Sequence, residues 1–138
     1  MEEKIMDLVD VSSDVLAAEA CKILIEKKGV DVKMFCVKEK TSITDYYLNA
    51  TGRSSTQVAA LADDLVDLIA ERGRQVLRVE GRSGGAWVLC DFGDVIVNVF
   101  DKASREFYSF DRHLPAECEM DISALVSEVD EKFDINKN

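Results

Sequence analysis

The stretch from Gly85 to Phe100, GAWVLCDFGDVIVNVF, constrains the fold more than any other part of the chain. It contains two runs, AWVLCDF and VIVNVF, whose β-branched and aromatic residues are typical of strands, with a tight turn between them. Successive side chains of such a hairpin point to opposite faces. One face is apolar and made of small side chains, namely Ala86, Val88, Cys90, Val95, Val97 and Val99. We expect that face to lie against helices.

The second face of this hairpin is chemically mixed. A two-residue loop at Phe92 and Gly93 gives it three opposed pairs, which are Trp87 with Asn98, Leu89 with Ile96, and Asp91 with Asp94. Two carboxylates directly opposite each other repel mildly, so we expect a cation close by. The candidates within the chain are Arg78, Arg82 and Arg105. The division into faces depends on the register of the two strands.

Three interpretations of the mixed face are open. Tryptophan frequently anchors protein interfaces, and Asp91 and Asp94 would meet arginine or lysine side chains of a basic partner. In a second interpretation, Trp87 is a core residue and the aspartates belong to the turn. In a third, the two carboxylates hold magnesium or act as general acid and base, as in a nucleotidyltransferase. Against that enzyme, the chain lacks a Gly-Ser motif ahead of a paired Asp-x-Asp.

The rest of the chain alternates between helix and strand signals. Ser54 and Gln57 have the spacing of a helix capping box, and apolar residues from Val58 to Ile69 recur at helical spacing. A first helix is predicted over about 14–28, and further strands over 32–37, 45–50 and 75–80. The order αββαβββ predicts the α/β class, as a single small domain with a mixed β-sheet and helices packed on it.

Pro115, the only proline, marks the one obvious boundary. We divide the chain there into a domain over residues 1–114 and an acidic C-terminal extension over 115–138. A narrow apolar stripe from Ile122 to Phe133 predicts that the extension is helical in part. In one interpretation this helix docks on its own domain. A disordered acidic tail and a partner-binding helix are the alternatives.

Charge, hydropathy and cysteine spacing exclude several function classes. The net charge of −10 argues against general binding to nucleic-acid phosphates and permits a basic protein partner. The chain has no apolar run near the roughly 18 residues of a membrane span. Its acidic start resembles neither a signal peptide nor a transit peptide, so we expect a cytoplasmic protein. The four cysteines form no CxxC pair, so we expect buried thiols and neither a zinc site nor another cofactor.

Four motifs, in order along the chain, resemble one protein family. They are DYYLNATGRSSTQVAALAD from Asp45, LRVEG from Leu77, WVLCDFGDVIVNVF from Trp87 and REFYSFDRHL from Arg105. Together they are similar to the ribosomal silencing factor family, also called Iojap-like, over about Ala17 to Leu114. The resemblance implies a fold related to nucleotidyltransferases and a function that is not enzymatic.

The resemblance implies a repressor of translation. Family members bind a protein of the large ribosomal subunit, protein fourteen, on the face that meets the small subunit, and so block subunit joining when nutrients are scarce. They are often homodimers when free, and the resemblance implies no sequence-specific contact with nucleic acid. Carried across by motif, the binding residues are Trp87, Leu89, Asp91 and Asp94, with Tyr46, Tyr47, Arg78, Glu80 and Tyr108 in second rank.

Two positions depart from the family pattern. Asn98 stands where the family commonly has histidine, which implies a different contact or affinity at that position. Tyr47 stands in DYY where the family usually has DYF, which adds a hydroxyl group. The extension after Pro115 lies outside the recognised motifs.

Overall fold

The computed structural model describes residues 6–136, with side chains described as far as Lys132. The helices are α1 (Ser13–Glu26), α2 (Ser55–Glu71), α3 (Lys102–Tyr108) and α4 (Ser123–Asn136). The strands are β1 (Val30–Cys36), β2 (Tyr46–Gly52), β3 (Arg78–Glu80), β4 (Trp87–Asp91) and β5 (Val95–Asp101). Two 3₁₀ turns, Phe110–His113 and Ala116–Cys118, lie between α3 and α4. No helix within this described part is long and apolar enough to cross a membrane.

The strands form one sheet in the order β1-β2-β5-β4-β3. β2 and β5 run parallel, and the other neighbouring pairs run antiparallel. The sheet is therefore mixed, and the predicted small α/β domain is confirmed. The expected relation to nucleotidyltransferases stays a prediction.

Helices α1 and α2 cover one face of this sheet. The hairpin side chains that face them are fully buried, and these are Val88, Cys90, Val95, Val97 and Val99. Helix α2 contributes its own buried stripe of Val58, Leu61, Leu65 and Ile69. Full burial of an aliphatic side chain contributes about 1.5–3 kcal/mol, so the apolar side of the hairpin is a main source of stability, as its alternation predicts.

The start of α2 follows the predicted capping pattern. Oγ of Ser54 accepts a hydrogen bond of 3.1 Å from the backbone N–H of Gln57. The Gln57 side chain accepts from the backbone N–H of Arg53, one residue before the cap.

All four cysteines are free thiols, and the expected burial is observed for three of them. Cys21, Cys90 and Cys118 are buried, whereas Cys36 is half-buried. Burial raises the pKa of both Cys21 and Cys90 to about 12, so these thiols stay protonated at neutral pH.

The predicted register of the hairpin was wrong by two residues. The N–H of Phe92 donates to the carbonyl of Val95 (2.9 Å), which makes Gly93 and Asp94 the two-residue loop. Phe92 is only 2 % exposed and packs in the core, whereas a loop that began at Phe92 would place its ring in solvent. Gly93 has a φ of +93°, which glycine adopts without strain.

This loop position changes the pairs but preserves the faces. The observed pairs are Trp87 with Phe100, Leu89 with Asn98, and Asp91 with Ile96. Each partner moves by two residues, which is the side-chain period of a strand, so the predicted division into an apolar and a mixed face is confirmed. The expected opposition of Asp91 and Asp94 does not occur.

The segment after Pro115 packs on the same domain. Helix α4 lies along α1, with ion pairs of 2.9 Å between Lys22 and Glu128 and between Lys132 and Glu26. Ile122 and Leu125 pack against the core and Val129 is 4 % exposed, so the interpretation of an amphipathic helix on its own domain is confirmed. Phe133, the last residue of the predicted stripe, lies outside the described side chains.

Candidate docking surface

The sheet face opposite α1 and α2 gathers most of the residues that the family resemblance implied. Strand pairing arranges this face in three rows, which are Tyr47-Ile96-Asp91-Arg78, Asn49-Asn98-Leu89-Glu80 and Thr51-Phe100-Trp87. Paired residues share a face of a sheet. We call this surface the open face, and define it by Tyr47, Arg78, Glu80, Trp87, Leu89 and Asp91, together with Tyr108 of α3.

Coverage of the open face is uneven. On the central strand β5, Ile96, Asn98 and Phe100 are buried. Toward β4 and β3, Trp87, Leu89 and Asp91 are half-buried, and both charged residues of β3, Arg78 and Glu80, are exposed. A partner can therefore reach the β3–β4 side of this face without any unfolding of the domain.

Three aromatic rings hold Trp87 in place. Its ring centroid lies 5.0 Å from that of Phe100, 5.0 Å from that of Tyr108 and 5.9 Å from that of Phe110, in tilted or edge-on arrangements. Aromatic pairs of this kind contribute about 0.5–1.5 kcal/mol beyond their burial. The indole is thus fixed in orientation while part of its surface remains exposed.

A series of hydrogen bonds runs from this indole into the domain. Nε1 of Trp87 donates to Oδ1 of Asn98 (2.9 Å), and Nδ2 of Asn98 donates to Oδ1 of Asn49 (3.1 Å). Nδ2 of Asn49 donates to Oδ1 of Asp111 (2.6 Å). The other oxygen of Asp111 accepts from Nε (3.1 Å) and Nη2 (3.0 Å) of Arg105. We call these five side chains the polar chain.

Arg105 anchors the polar chain at its far end. Nη1 of Arg105 donates to Oγ1 of Thr51 on β2 (2.9 Å) and to the carbonyl of Asp31 on β1 (2.8 Å). The Arg105 side chain is 8 % exposed. Its nearer carboxylate partner is Asp111, at 3.0 Å, whereas the carboxylate of Asp31 lies 3.7 Å away. A buried charge that loses its partner costs about 3–5 kcal/mol, so this ion pair is expected to hold firmly.

A helix cap and a left-handed residue place α3 and the first 3₁₀ turn over the sheet. Asp101 caps α3 by accepting from the N–H of Ser104 at 2.7 Å. The helix ends at Tyr108, and the next residue, Ser109, caps it in a left-handed conformation with φ of +50°. The reversal brings Phe110 back to within 5.4 Å of the Tyr47 ring.

The charged groups of the open face pair with one another. Nε of Arg78 lies 3.4 Å from the Asp91 carboxylate, and Nη1 of Arg78 lies 3.7 Å from that of Glu80. Exposed pairs of this kind are worth about 1 kcal/mol or less, so a partner's cations can replace Arg78 at little cost. Burial, with a smaller contribution from Asp91, raises the pKa of Tyr47 above its ordinary value.

Of the three arginines considered as neighbours of the hairpin carboxylates, only Arg78 lies beside one of them. Arg82 forms two hydrogen bonds with Asp63 on α2, at 2.8 and 2.7 Å. Arg105 belongs to the polar chain. A fourth arginine, Arg74, lies 3.6 Å from the carboxylate of Asp94.

Tyr46 and Asp94 lie apart from the other predicted site residues. Tyr46 points to the helix-covered side of the sheet, is 5 % exposed and belongs to the core, so it offers no side chain to a partner on the open face. Asp94 is exposed in the hairpin turn, which follows the Asp91 end of β4.

Phe107 is a candidate contact that the sequence did not reveal. It is 81 % exposed, and its ring centroid lies 5.1 Å from that of Tyr108, which in turn contacts Trp87. The REFY motif contains Phe107, but nothing in the sequence indicates which residue of that motif faces solvent. Contiguous exposed aromatic surface commonly marks an interaction site.

The carboxylate pair expected for a magnesium site does not form across the hairpin. Asp91 accepts from the N–H of Gly93 at 2.8 Å and faces Arg78, whereas Asp94 faces Arg74. In the part of the chain that the structure describes, no group of three or more His, Cys, Asp or Glu side chains is placed to hold a metal ion.

Comparison with known proteins gives the same family as the four sequence motifs. A family model described as ribosomal silencing factor during starvation matches residues 10–137, which include the segment after Pro115. Ribosomal silencing factor RsfS of Bacillus subtilis is 36 % identical over 97 residues, covering 70 % of this chain and 80 % of that protein. The protein of the same name from Haemophilus influenzae is 36 % identical over 85 residues, covering 62 % of this chain and 83 % of that protein.

A solved structure has the same fold. The crystal structure of a protein from Chromobacterium violaceum matches with a TM-score of 0.73 at 32 % identity. The match covers 75 % of this chain and 87 % of that one.

Proposed function

The chain belongs to the ribosomal silencing factor family, and on this basis we propose that it represses translation by docking its open face on a basic protein of the large ribosomal subunit. We propose protein fourteen of that subunit as the partner, on the surface that meets the small subunit. A folded domain bound there blocks subunit joining by its volume alone, so the mechanism needs no catalytic step and no cofactor.

The convergence of distant residues on the open face supports this proposal most directly. The open face brings together residues as far apart in the chain as Tyr47 and Tyr108, and its tryptophan is half-buried. In the antiparallel part of a sheet, which here is β3, β4 and β5, one face is usually apolar and buried and the other is polar and solvated. Here the second face instead presents an indole, Leu89 and the neighbouring Phe107, which is the composition of an interface centre.

The charges around this centre fit a basic partner. The open face carries two carboxylates, Asp91 and Glu80, and a third, Asp94, lies in the hairpin turn beyond the Asp91 end of β4. Carboxylates at the rim of an interface speed association with a positively charged surface and suppress like-charged partners. The net charge of −10 adds a long-range attraction between the whole protein and a positively charged partner.

Sedimentation with separated ribosomal subunits tests the proposal. The purified protein is run alone, with each subunit, and with both together under conditions that allow joining. We expect it to migrate with large subunits only and to reduce the fraction of joined ribosomes. The proposal is wrong if the folded protein stays at the top of the gradient at both low and moderate salt. The sample run alone also tests whether the free protein is a homodimer.

A further inference from the structure

The polar chain has a direction that its two ends impose. An indole N–H only donates and an ionised carboxylate only accepts, so Trp87 and Asp111 determine how both amides between them are turned. Asn98 and Asn49 each accept from the indole side and donate toward the carboxylate. Hydrogen bonds aligned in one direction polarise and strengthen one another. The charge of Asp111 therefore acts on the indole N–H through two amides.

Burial prevents water from replacing either amide of the polar chain. Asn49 and Asn98 are both 0 % exposed. Among the residues that the structure describes, no buried side-chain nitrogen or oxygen lacks a hydrogen-bond partner. A change at Asp111 that removes the acceptor for Asn49 leaves a buried amide donor unpaired, and this cost favours a turned amide or a displaced indole.

The polar chain also fixes the aromatic support of the indole. Asp111 belongs to the 3₁₀ turn that carries Phe110, and Arg105 belongs to the helix that carries Tyr108. Both of those rings contact Trp87. The bond between Asp111 and Arg105 thus joins the two elements that pack on the indole, and Thr51 and Asp31 join them to the sheet.

We infer that Asn98, Asn49, Asp111 and Arg105 are positioning residues, which set the orientation of Trp87 for docking without themselves touching the partner. This inference rests on the proposed function only in its last step, the contribution of Trp87 to ribosome binding. The first step, control of the indole by Asp111, concerns the isolated protein and is measured separately.

Two matched substitutions test the inference, Asp111→Asn and Glu19→Gln. Each converts a carboxylate that holds an arginine into an amide, but Glu19 lies on α1, where it accepts from Lys22 (2.7 Å) and Arg72 (2.8 Å). Trp87 is the only tryptophan, so fluorescence excited at wavelengths that tyrosine does not absorb reports the environment of Trp87 alone. For each variant we would measure emission, thermal unfolding and affinity for purified large subunits by sedimentation.

We expect Asp111→Asn to shift the Trp87 emission and to weaken large-subunit binding about tenfold, the size of one lost charge-assisted hydrogen bond. Glu19→Gln is expected to lower the unfolding temperature while leaving emission and affinity unchanged. The inference is overturned if Asp111→Asn loses stability with unchanged emission, or if its emission shifts while its affinity does not. If Asp111→Asn does not fold, Asn49→Ala takes its place, because it interrupts the polar chain and leaves the Arg105–Asp111 ion pair intact. Trp87 emission and large-subunit affinity of that variant then test the inference in the same way.

Failure of the proposed function has a different signature. If the wild-type protein does not bind large subunits and Asp111→Asn still shifts the emission, the docking role is wrong and the control of the indole stands. If the wild-type protein binds and the emission is insensitive to Asp111, the docking role stands and the positioning role is wrong.

Discussion

Trp87 donates its indole hydrogen bond to Asn98, a fully buried side chain, at 2.9 Å. The tryptophan is therefore neither a freely moving surface anchor nor a plain core residue, although both interpretations are open from the sequence. One edge of its ring system belongs to the polar chain, and part of its surface stays exposed beside Tyr108. An aromatic side chain ordered before binding loses little conformational entropy when a partner arrives, which suits an interface anchor.

The first prediction concerns this anchor. Trp87→Ala is expected to weaken large-subunit binding by about 2 kcal/mol or more, the usual threshold of an interface hot spot. Trp87→Phe keeps a ring against Tyr108 but removes the donor to Asn98, so its loss should be smaller. Affinity is measured by sedimentation with large subunits, and thermal unfolding shows that each variant is folded. An unchanged affinity of folded Trp87→Ala would remove the open face from the proposed interface.

Phe107 gives a second prediction that separates docking from stability. The Phe107 side chain is 81 % exposed, so Phe107→Ala should change the free energy of unfolding by less than about 0.5 kcal/mol. Binding to large subunits should weaken by more than about 1 kcal/mol. Ile43→Ala is the matched control, because Ile43 is 71 % exposed, lies in the loop before β2 and is not among the aromatic residues around Trp87. Equal losses in both variants would indicate non-specific apolar adhesion.

The third prediction uses charge. Asp94→Lys should slow association with large subunits and reduce the salt dependence of that rate, because an exposed carboxylate in the hairpin turn becomes a cation. Asp67→Lys on the exposed side of α2 changes the net charge by the same amount and should have a much smaller effect. The rates come from stopped-flow mixing at several salt concentrations. Faster association of Asp94→Lys would contradict a basic partner.

The faces of the hairpin were predictable and its register was not, for a physical reason. Side chains alternate between the two faces of a strand, so Val88 and Trp87 lie on opposite faces. A shift of the strand pairing by two residues does not change the face of either one. The loop itself depends on whether Phe92 is paired or turned outward. That choice is made by the core, which takes the Phe92 ring, and the core is not visible in the local sequence.

The polar chain could not be predicted for a related reason. Its members lie far apart in sequence, at positions 49, 87, 98, 105 and 111. Asn49 meets Asn98 only through the parallel register of β2 and β5, and Asp111 returns to Arg105 only after the chain reverses at Ser109. By contrast, most members of the open face lie in contiguous motifs, and the family resemblance carried over each motif as a whole.

The last prediction replaces Asn98 by histidine, the residue that the sequence resemblance implies at this position. A neutral imidazole has one acceptor and one N–H donor, so it can accept from Trp87 and donate to Asn49 as the amide does. Protonation removes the acceptor, and burial also disfavours the charged ring, so the folded-state pKa of this histidine should lie below its unfolded value of about 6.5. The stability that it contributes is then present above about pH 6.5 and lost as the pH falls through the folded-state pKa.

Asn98→His should therefore resemble the wild type at about pH 8 in Trp87 emission and unfolding temperature, and should diverge from it at about pH 5.5. The wild type is the control, because its only histidine, His113, is exposed. Only the difference between the two pH profiles is interpreted, since acid affects other groups in both proteins alike. Parallel profiles from pH 8 to pH 5.5 would mean that the side chain at position 98 does not accept the indole hydrogen bond, and the direction assigned to the polar chain would be wrong.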